Sequence, residues 1–98
     1  MSYFVLDYLL ADDYLDRRSA LRAEHLELAG AAAARGELVL AGALADPTDR
    51  AFLVWRVDDP AVIDEFAAAD PYVRHGLVTG WSVRPWTVVI GAAYREDP

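Results

Sequence analysis

The sequence contains neither cysteine nor lysine among its 98 residues. Without cysteine, the protein has no disulfide, no thiolate nucleophile and no cysteine-based metal site. The nine basic residues are all arginines, and 16 acidic residues bring the net charge to −7. This charge argues against nucleic acid as a partner and against binding to an anionic membrane surface, because both need clustered basic residues.

Long apolar runs are also missing. No stretch approaches the roughly 20 apolar residues of a membrane span. The first residues, "MSYFVLDYLLADD", have no basic region and include Asp7 early, so they predict a strand and not a signal peptide. We therefore expect a cytoplasmic protein that does not bind membranes. Its length fits one domain over residues 1–98, and the thin core of so small a domain favours association with a second copy.

Apolar and β-branched residues predict four strands. They are expected at residues 2–10, 37–44, 51–57 and 77–90. Pro85 indicates an edge, a bulge or a bend in the last of them, because proline cannot donate a backbone hydrogen bond. Residues 93–98 are predicted to form a loose tail.

Two helices are predicted between these strands. The first begins after Asp12 or Asp13, either of which can act as its N-cap, and ends at Gly36. The second covers residues 61–69 and follows Asp59 as N-cap. The order β-α-β-β-α-β is that of the ferredoxin-like α+β fold, a four-stranded antiparallel sheet with two helices on one face. The other face is apolar, so we expect a homodimer that covers it.

The first helix carries polar residues where its apolar face should be. With Leu21 at 0°, His25 falls at about 40°, Arg18 at about 60° and Arg22 at about 100°, all within the arc of the apolar residues. One interpretation is structural: the arginines extend past the sheet edge, and His25 makes one hydrogen bond in the core. In the other, this half of the helix lines a cleft in which the arginines bind an anion and His25 acts as acid or base. Both interpretations require acceptors nearby, because buried cations without partners are costly.

Asp70 is the best candidate for a nearby carboxylate. Its place in "DPY" predicts an N-cap with proline at the first helical position. One oxygen of such a carboxylate can cap the helix while the other faces a cleft. Its proximity to His25 does not follow from sequence spacing.

Other chemistry-bearing residues are weaker candidates. His75 is expected at the surface near a helix end, and Asp7 can be an inward carboxylate or can protect a sheet edge. Ser82, in "WSVRPW", lacks the G-x-S-x-G turn of a nucleophilic serine. The two histidines lack H-x-x-x-H spacing, which argues against a zinc site. No glycine-rich phosphate loop is present, and we expect no cofactor.

Four stretches resemble motifs of the YciI-like (YCII-related) family, in the order in which that family has them. "RAEHLEL" resembles its R-x-x-H-L, and "RGELVLAGAL" its G-x-L-x-x-A-G. "DPYVRHGLV" resembles its D-P-Y/F-x-x-x-G, and "WSVRPW" its x-S-V-x-P-F/W. The family often continues A-G with G-P, whereas this chain has "AGAL", a departure that affects the loop beside the expected cleft.

The resemblance implies a dimeric ferredoxin-like fold similar to the α+β barrel dimers. It also implies that His25 and Asp70 form a catalytic pair in a cleft. The predicted substrate-binding residues are Arg18, Arg22, Ser82 and Tyr72. A related group of the family resembles dehydrochlorinases or lyases that act on hydroxymuconate-type acids.

Two classes of function follow. The first is a cofactor-free enzyme in which His25, oriented by Asp70, moves a proton on a small anionic organic acid, as in a dehydrochlorinase-like elimination. The alternative is a non-catalytic protein that binds a small ligand or serves as an accessory protein of a metabolic pathway.

Overall fold

The computed structural model describes residues 1–96, and its element order is β-α-β-β-α-α-β. The elements are β1 (Ser2–Leu10), α1 (Tyr14–Ala34), β2 (Leu38–Ala43), β3 (Arg50–Val57), α2 (Ala61–Ala69), α3 (Pro71–Arg74) and β4 (Val78–Pro85). The strands form one antiparallel sheet in the order β2-β3-β1-β4. The predicted ferredoxin-like α+β fold is therefore confirmed, and the single turn after Asp70 is the short helix α3.

Residue alternation along the central strands divides the sheet into two faces. Tyr8 of β1 is buried and pairs with the buried Ala51 of β3. The neighbouring Asp7 is half-buried and pairs with Phe52, so these two side chains lie on the opposite face. The core joins the first of these faces to α1 and α2, because it includes Ala32 of α1 together with residues of α2 and the central strands. We call the opposite face, which carries Asp7 and Phe52, the open face.

The helix ends follow the predicted signals, with two exceptions. Gly36 has a φ of +80°, and its N–H bonds to the carbonyl of Ala33, which ends α1 as expected. The N-cap of α2 is Pro60, one residue after the predicted Asp59, although the Asp59 carboxylate still accepts a hydrogen bond from the N–H of Ala61 at 2.9 Å. The predicted side-chain cap of α1 is absent: Asp13 makes no cap hydrogen bond, and its carboxylate lies 3.6 Å from the guanidinium of Arg17.

The last strand is shorter than predicted. It ends at Pro85, whereas the sequence predicted a strand to residue 90. Pro85 pairs with Phe4, and β1 begins only two residues earlier at Ser2, so the chain beyond residue 87 has no partner strand. A strand needs such a partner for its backbone hydrogen bonds.

The chain after β4 returns to the first strand. The hydroxyl of Tyr3 accepts a hydrogen bond from the N–H of Arg95 at 2.8 Å, and the rings of Tyr3 and Tyr94 lie 5.8 Å apart. Part of the segment predicted to be a loose tail thus contacts β1, and residues 97 and 98 lie outside the described residues. Within residues 1–96, no helix combines the length and the apolar character that crossing a membrane requires.

Candidate functional site

A cavity of about 290 Å³ lies between α1 and the helix-covered face of the sheet. Its wall on the helix side includes Arg18, Arg22 and His25, the three polar residues on the apolar arc of α1. Tyr8 and Tyr72 contribute from β1 and α3. The remaining lining residues are apolar, aromatic or small: Leu10, Tyr14, Leu26, Ala29, Ala41, Gly42, Ala43, Ala51 and Leu53. The polar residues of α1 therefore line a cavity. The anion-binding and acid–base roles of the second interpretation stay predictions.

His25 lines this cavity and lies within hydrogen-bond distance of Asp70. The Nδ1 atom of His25 lies 2.9 Å from Oδ1 of Asp70, although the two residues are 45 positions apart. Asp70 is completely buried, and the side chain of His25 is 16% exposed. The expected neighbourhood of these two residues is thus present.

Both carboxylate oxygens of Asp70 accept hydrogen bonds. Besides facing His25, Oδ1 accepts a hydrogen bond from the backbone N–H of Tyr72 at 3.0 Å, which caps α3. Oδ2 accepts a hydrogen bond from the hydroxyl of Tyr8 at 2.8 Å. The sequence suggested one oxygen for the cap and the other for the cleft, whereas Oδ1 serves both and Oδ2 is held by Tyr8. A buried carboxylate is tolerated because such donors replace its lost hydration.

The hydrogen bond to Asp70 selects one tautomer of His25. An ionised carboxylate only accepts hydrogen bonds, so the ring nitrogen that faces it carries the proton. Nδ1 is then the donor, and Nε2 has a free lone pair. No residue of the described chain, 1–96, forms a hydrogen bond to Nε2. An imidazole held in this form can accept a proton at Nε2.

Aromatic rings surround the imidazole. The ring of Tyr72 stacks on His25 with centroids 3.9 Å apart and planes 9° from parallel. Tyr14 meets Tyr72 edge-on, with centroids 5.7 Å apart. This packing fixes the plane of the imidazole, which a single hydrogen bond to Asp70 would leave free to tilt.

Two tyrosines of the site keep their protons at neutral pH. Burial raises the pKa of Tyr72 to about 12, electrostatic interactions with Tyr14 and Asp70 raise it further, and Arg22 and Arg18 act in the opposite direction. Burial also raises the pKa of Tyr8, and the charge of Asp70 and the hydrogen bond to it raise it further. Both hydroxyls are therefore hydrogen-bond donors and not bases.

Arg18 and Arg22 bring positive charge to the cavity. Arg18 lies over the ring of Tyr14, 5.9 Å from its centroid. Neither arginine forms an ion pair with a carboxylate of residues 1–96, whereas Arg74 pairs with Glu24 at 2.6 Å. Two cationic groups without acidic partners beside a cavity favour an anionic ligand.

Not every predicted site residue joins this cluster. Ser82 pairs with Asp7 in the sheet, so its side chain lies on the open face and not in the cavity. His75 follows α3, where its carbonyl accepts a hydrogen bond from Arg17 at 2.7 Å. Arg18, Arg22, His25 and Tyr72 line the cavity, and Asp70 contacts His25. Their roles in catalysis and substrate binding stay predictions.

Sequence reasoning missed Tyr8 and the small residues of the sheet. Strand alternation could have placed Tyr8 on the helix-covered face, but its partner Asp70 is 62 positions away. Ala41, Gly42 and Ala43 lie in the stretch "AGAL" and line the cavity. The point at which the chain departs from the family motif is therefore part of the cavity wall. Within residues 1–96, no three histidine, aspartate or glutamate side chains form a group that could hold a metal ion.

Comparison with known proteins defines the family. Residues 1–87 match the YCII-related domain, so the chain belongs to the YCII-related family. No curated protein matches the sequence.

Two solved structures resemble the fold. One is the 5-chloro-2-hydroxyhydroquinone dehydrochlorinase TftG of Burkholderia phenoliruptrix AC1100, in complex with 2,5-dihydroxybenzoquinone. It superimposes with a TM-score of 0.73 at 17% identity and covers 87% of this chain and 93% of its own. The other is Rv0793 of Mycobacterium tuberculosis, with a TM-score of 0.50, 19% identity, and coverage of 92% of this chain and 96% of its own. At these identities the likeness establishes the shared fold.

Proposed function

We propose that the protein is a cofactor-free enzyme that removes a proton from a small anionic substrate, in a dehydrochlorinase-like elimination. The observation that carries this proposal is a shared cavity. His25, which is paired with the buried Asp70, lines it together with Arg18 and Arg22, two arginines that have no acidic partner among residues 1–96. The imidazole supplies a base, and the arginines supply the binding energy for a negative charge.

The elimination assigns a role to each group. The aromatic chlorohydroquinone first shifts to a keto tautomer in which the chlorine-bearing ring carbon is saturated. Nε2 of His25 then takes a proton from a ring hydroxyl of this tautomer, and the O–H electron pair forms a C=O bond. The adjacent ring double bond moves to the chlorine-bearing carbon, the C–Cl bond breaks, and chloride leaves with the bonding electrons. Asp70 stabilises the imidazolium that forms and keeps the ring oriented, as a carboxylate does for a histidine base. His25 afterwards returns its proton to water.

A flat ring with oxygen substituents suits the cavity. One wall is aromatic, formed by Tyr14, Tyr72 and the imidazole, and the opposite wall includes the small residues of β2 and β3. The volume of about 290 Å³ is at the lower end of small-molecule sites, which span roughly 300–1,000 Å³. The ligand of the dehydrochlorinase with the same fold, 2,5-dihydroxybenzoquinone, is such a ring, and it is a suitable test ligand here.

The test measures chloride release from 5-chloro-2-hydroxyhydroquinone with a chloride electrode. We expect wild-type protein to release chloride and His25→Gln to do so about 10²- to 10⁴-fold more slowly, the range for loss of a general base. His75→Gln is the matched control, because it removes the other histidine, which is not among the cavity residues. Equal release by the two histidine variants would contradict the proposal. Tight binding of 2,5-dihydroxybenzoquinone without release, unaffected by His25→Gln, would favour the alternative of a non-catalytic ligand-binding protein.

We also propose that the protein is a homodimer joined through the open faces of its sheets. The open face carries apolar side chains, among them Phe52, Val54 and the strongly exposed Leu40. A second copy that packs on this face removes their apolar surface from water.

A further inference from the structure

Tyr8 has a hydrogen bond that the elimination itself does not use. Its hydroxyl donates to Oδ2 of Asp70 at 2.8 Å, and the residue is 1% exposed. Oδ1 of the same carboxylate faces the backbone N–H of Tyr72 and Nδ1 of His25. The two oxygens of Asp70 therefore bond to different donors: Oδ2 to Tyr8, and Oδ1 to Tyr72 and His25.

We propose that Tyr8 is a positioning residue that locks the rotation of the Asp70 carboxylate and thereby holds His25 in its Nδ1–H tautomer. The consequence for catalysis rests on the proposed function above. The tautomer itself is a property of the protein without substrate, so it is tested separately.

The physical reason lies in the geometry of a carboxylate. Its terminal torsion is broad, so packing alone does not fix the angle at which the two equivalent oxygens face their donors. A donor fixed on β1 and a backbone donor fixed on α3 hold the two oxygens from different directions. The direction of the hydrogen bond between Oδ1 and the imidazole is then determined by the positions of β1 and α3. Without the Tyr8 hydroxyl, Oδ2 is a buried anion without a donor, and the carboxylate must turn, take up water or bind a proton.

The hydroxyl is suited to this task because it does not compete for the proton. Burial and the adjacent carboxylate raise the pKa of Tyr8, so it stays a neutral donor over the pH range in which histidine works.

Tyr8 also lines the cavity, which leaves direct contact with substrate as the competing explanation. The two explanations differ in kinetics. Loss of a substrate contact weakens binding, whereas loss of a positioning contact lowers kcat and leaves binding unchanged.

The experiment compares Tyr8→Phe with Tyr3→Phe. Tyr3 is on the same strand and is also buried, but its hydroxyl bonds to the backbone of Ala93 and Arg95 and not to Asp70. Ring-nitrogen NMR of ¹⁵N-histidine protein, recorded where His25 is neutral, reports the tautomer. We expect the Nδ1–H form in wild type and in Tyr3→Phe, and a mixture with the Nε2–H form in Tyr8→Phe. The kcat of Tyr8→Phe should fall about 10- to 100-fold, as for other partners that orient a functional histidine. Its affinity for 2,5-dihydroxybenzoquinone should stay within about twofold of wild type.

Each outcome decides the proposal. An unchanged tautomer in folded Tyr8→Phe overturns it, and a weaker affinity with unchanged kcat assigns Tyr8 to substrate contact. If no variant turns over substrate, the proposed function fails, and the NMR comparison still decides the role of Tyr8. If Tyr8→Phe does not fold, wild-type spectra decide: the Tyr8 hydroxyl proton and the Nδ1 proton of His25 should both exchange slowly and show a mutual NOE. Fast exchange of both protons overturns the proposal.

Discussion

The Asp70 carboxylate faces three hydrogen-bond donors at once. Replacing Asp70 therefore tests whether it stabilises the fold by more than an ordinary helix cap does. The donors are the Tyr8 hydroxyl, the Tyr72 N–H and Nδ1 of His25, at 2.8, 3.0 and 2.9 Å from the carboxylate. Asp70→Ala leaves all three without an acceptor in a buried region. At about 1–3 kcal/mol for each unsatisfied buried group, with water entering beside the partly exposed His25, the expected loss is about 3–6 kcal/mol.

Two further variants calibrate this number. Asp59→Ala removes a cap-like carboxylate before α2 that accepts from a single donor, the N–H of Ala61, at an exposed site. It should cost about 0.5–2 kcal/mol, the ordinary range for a cap. Asp70→Asn keeps an oxygen for the cap and for His25, but its amide must donate to the hydroxyl of Tyr8. The loss of charge-assisted bonds should cost about 1–3 kcal/mol.

The assay is urea unfolding followed by tryptophan fluorescence, because Trp55 is completely buried. A domain of this size has a total stability of about 5–15 kcal/mol. Asp70→Ala therefore lowers the midpoint strongly and can abolish folding, while the other two variants stay folded. If Asp70→Ala lowers the free energy of unfolding no more than Asp59→Ala does, the contacts of Asp70 with Tyr8 and His25 add no stability, and Asp70 is only a helix cap.

Three more predictions test the site and the assembly. Arg22→Ala should weaken 2,5-dihydroxybenzoquinone binding by about 1.5–3 kcal/mol in calorimetry, the range for a charged hydrogen bond. The control is Arg35→Ala, which changes the net charge by the same amount at a residue outside the cavity. An equal loss of affinity in the two variants would refute a role for Arg22. An unfolded tyrosine ionises near pH 10, while folded Tyr8 keeps its proton because its pKa is raised, so its contribution is complete below pH 10 and is lost above it. Between about pH 10 and 11, Tyr8→Phe should therefore lose about 1 kcal/mol less stability than wild type in urea titrations, and parallel curves would contradict this. Sedimentation at micromolar concentration should show twice the 10.8 kDa chain mass, and Val54→Glu on the open face should shift it to monomer; a monomeric wild type would refute the proposed dimer.

Local sequence determined the secondary structure of this protein, because the signals act over a few residues. Gly36 ends α1 because the left-handed conformation costs glycine little, and Asp59 meets the N–H of Ala61 two positions away. The polar residues on the apolar arc of α1 were visible for the same reason: helical geometry alone places Arg18, Arg22 and His25 on one face. The family motifs then predicted which carboxylate would join them.

Tertiary structure decided what the site contains and where the sheet ends. Spacing along the chain could not bring Asp70 to His25 or Tyr8 to Asp70, since these contacts span 45 and 62 positions. Register placed Ser82 opposite Asp7 on the open face, because paired residues of antiparallel strands share a face. The last strand cannot reach the predicted residue 90 because β1 supplies no partner beyond Ser2, which limits pairing to residue 87, and no local signal in residues 86–90 records where another strand begins.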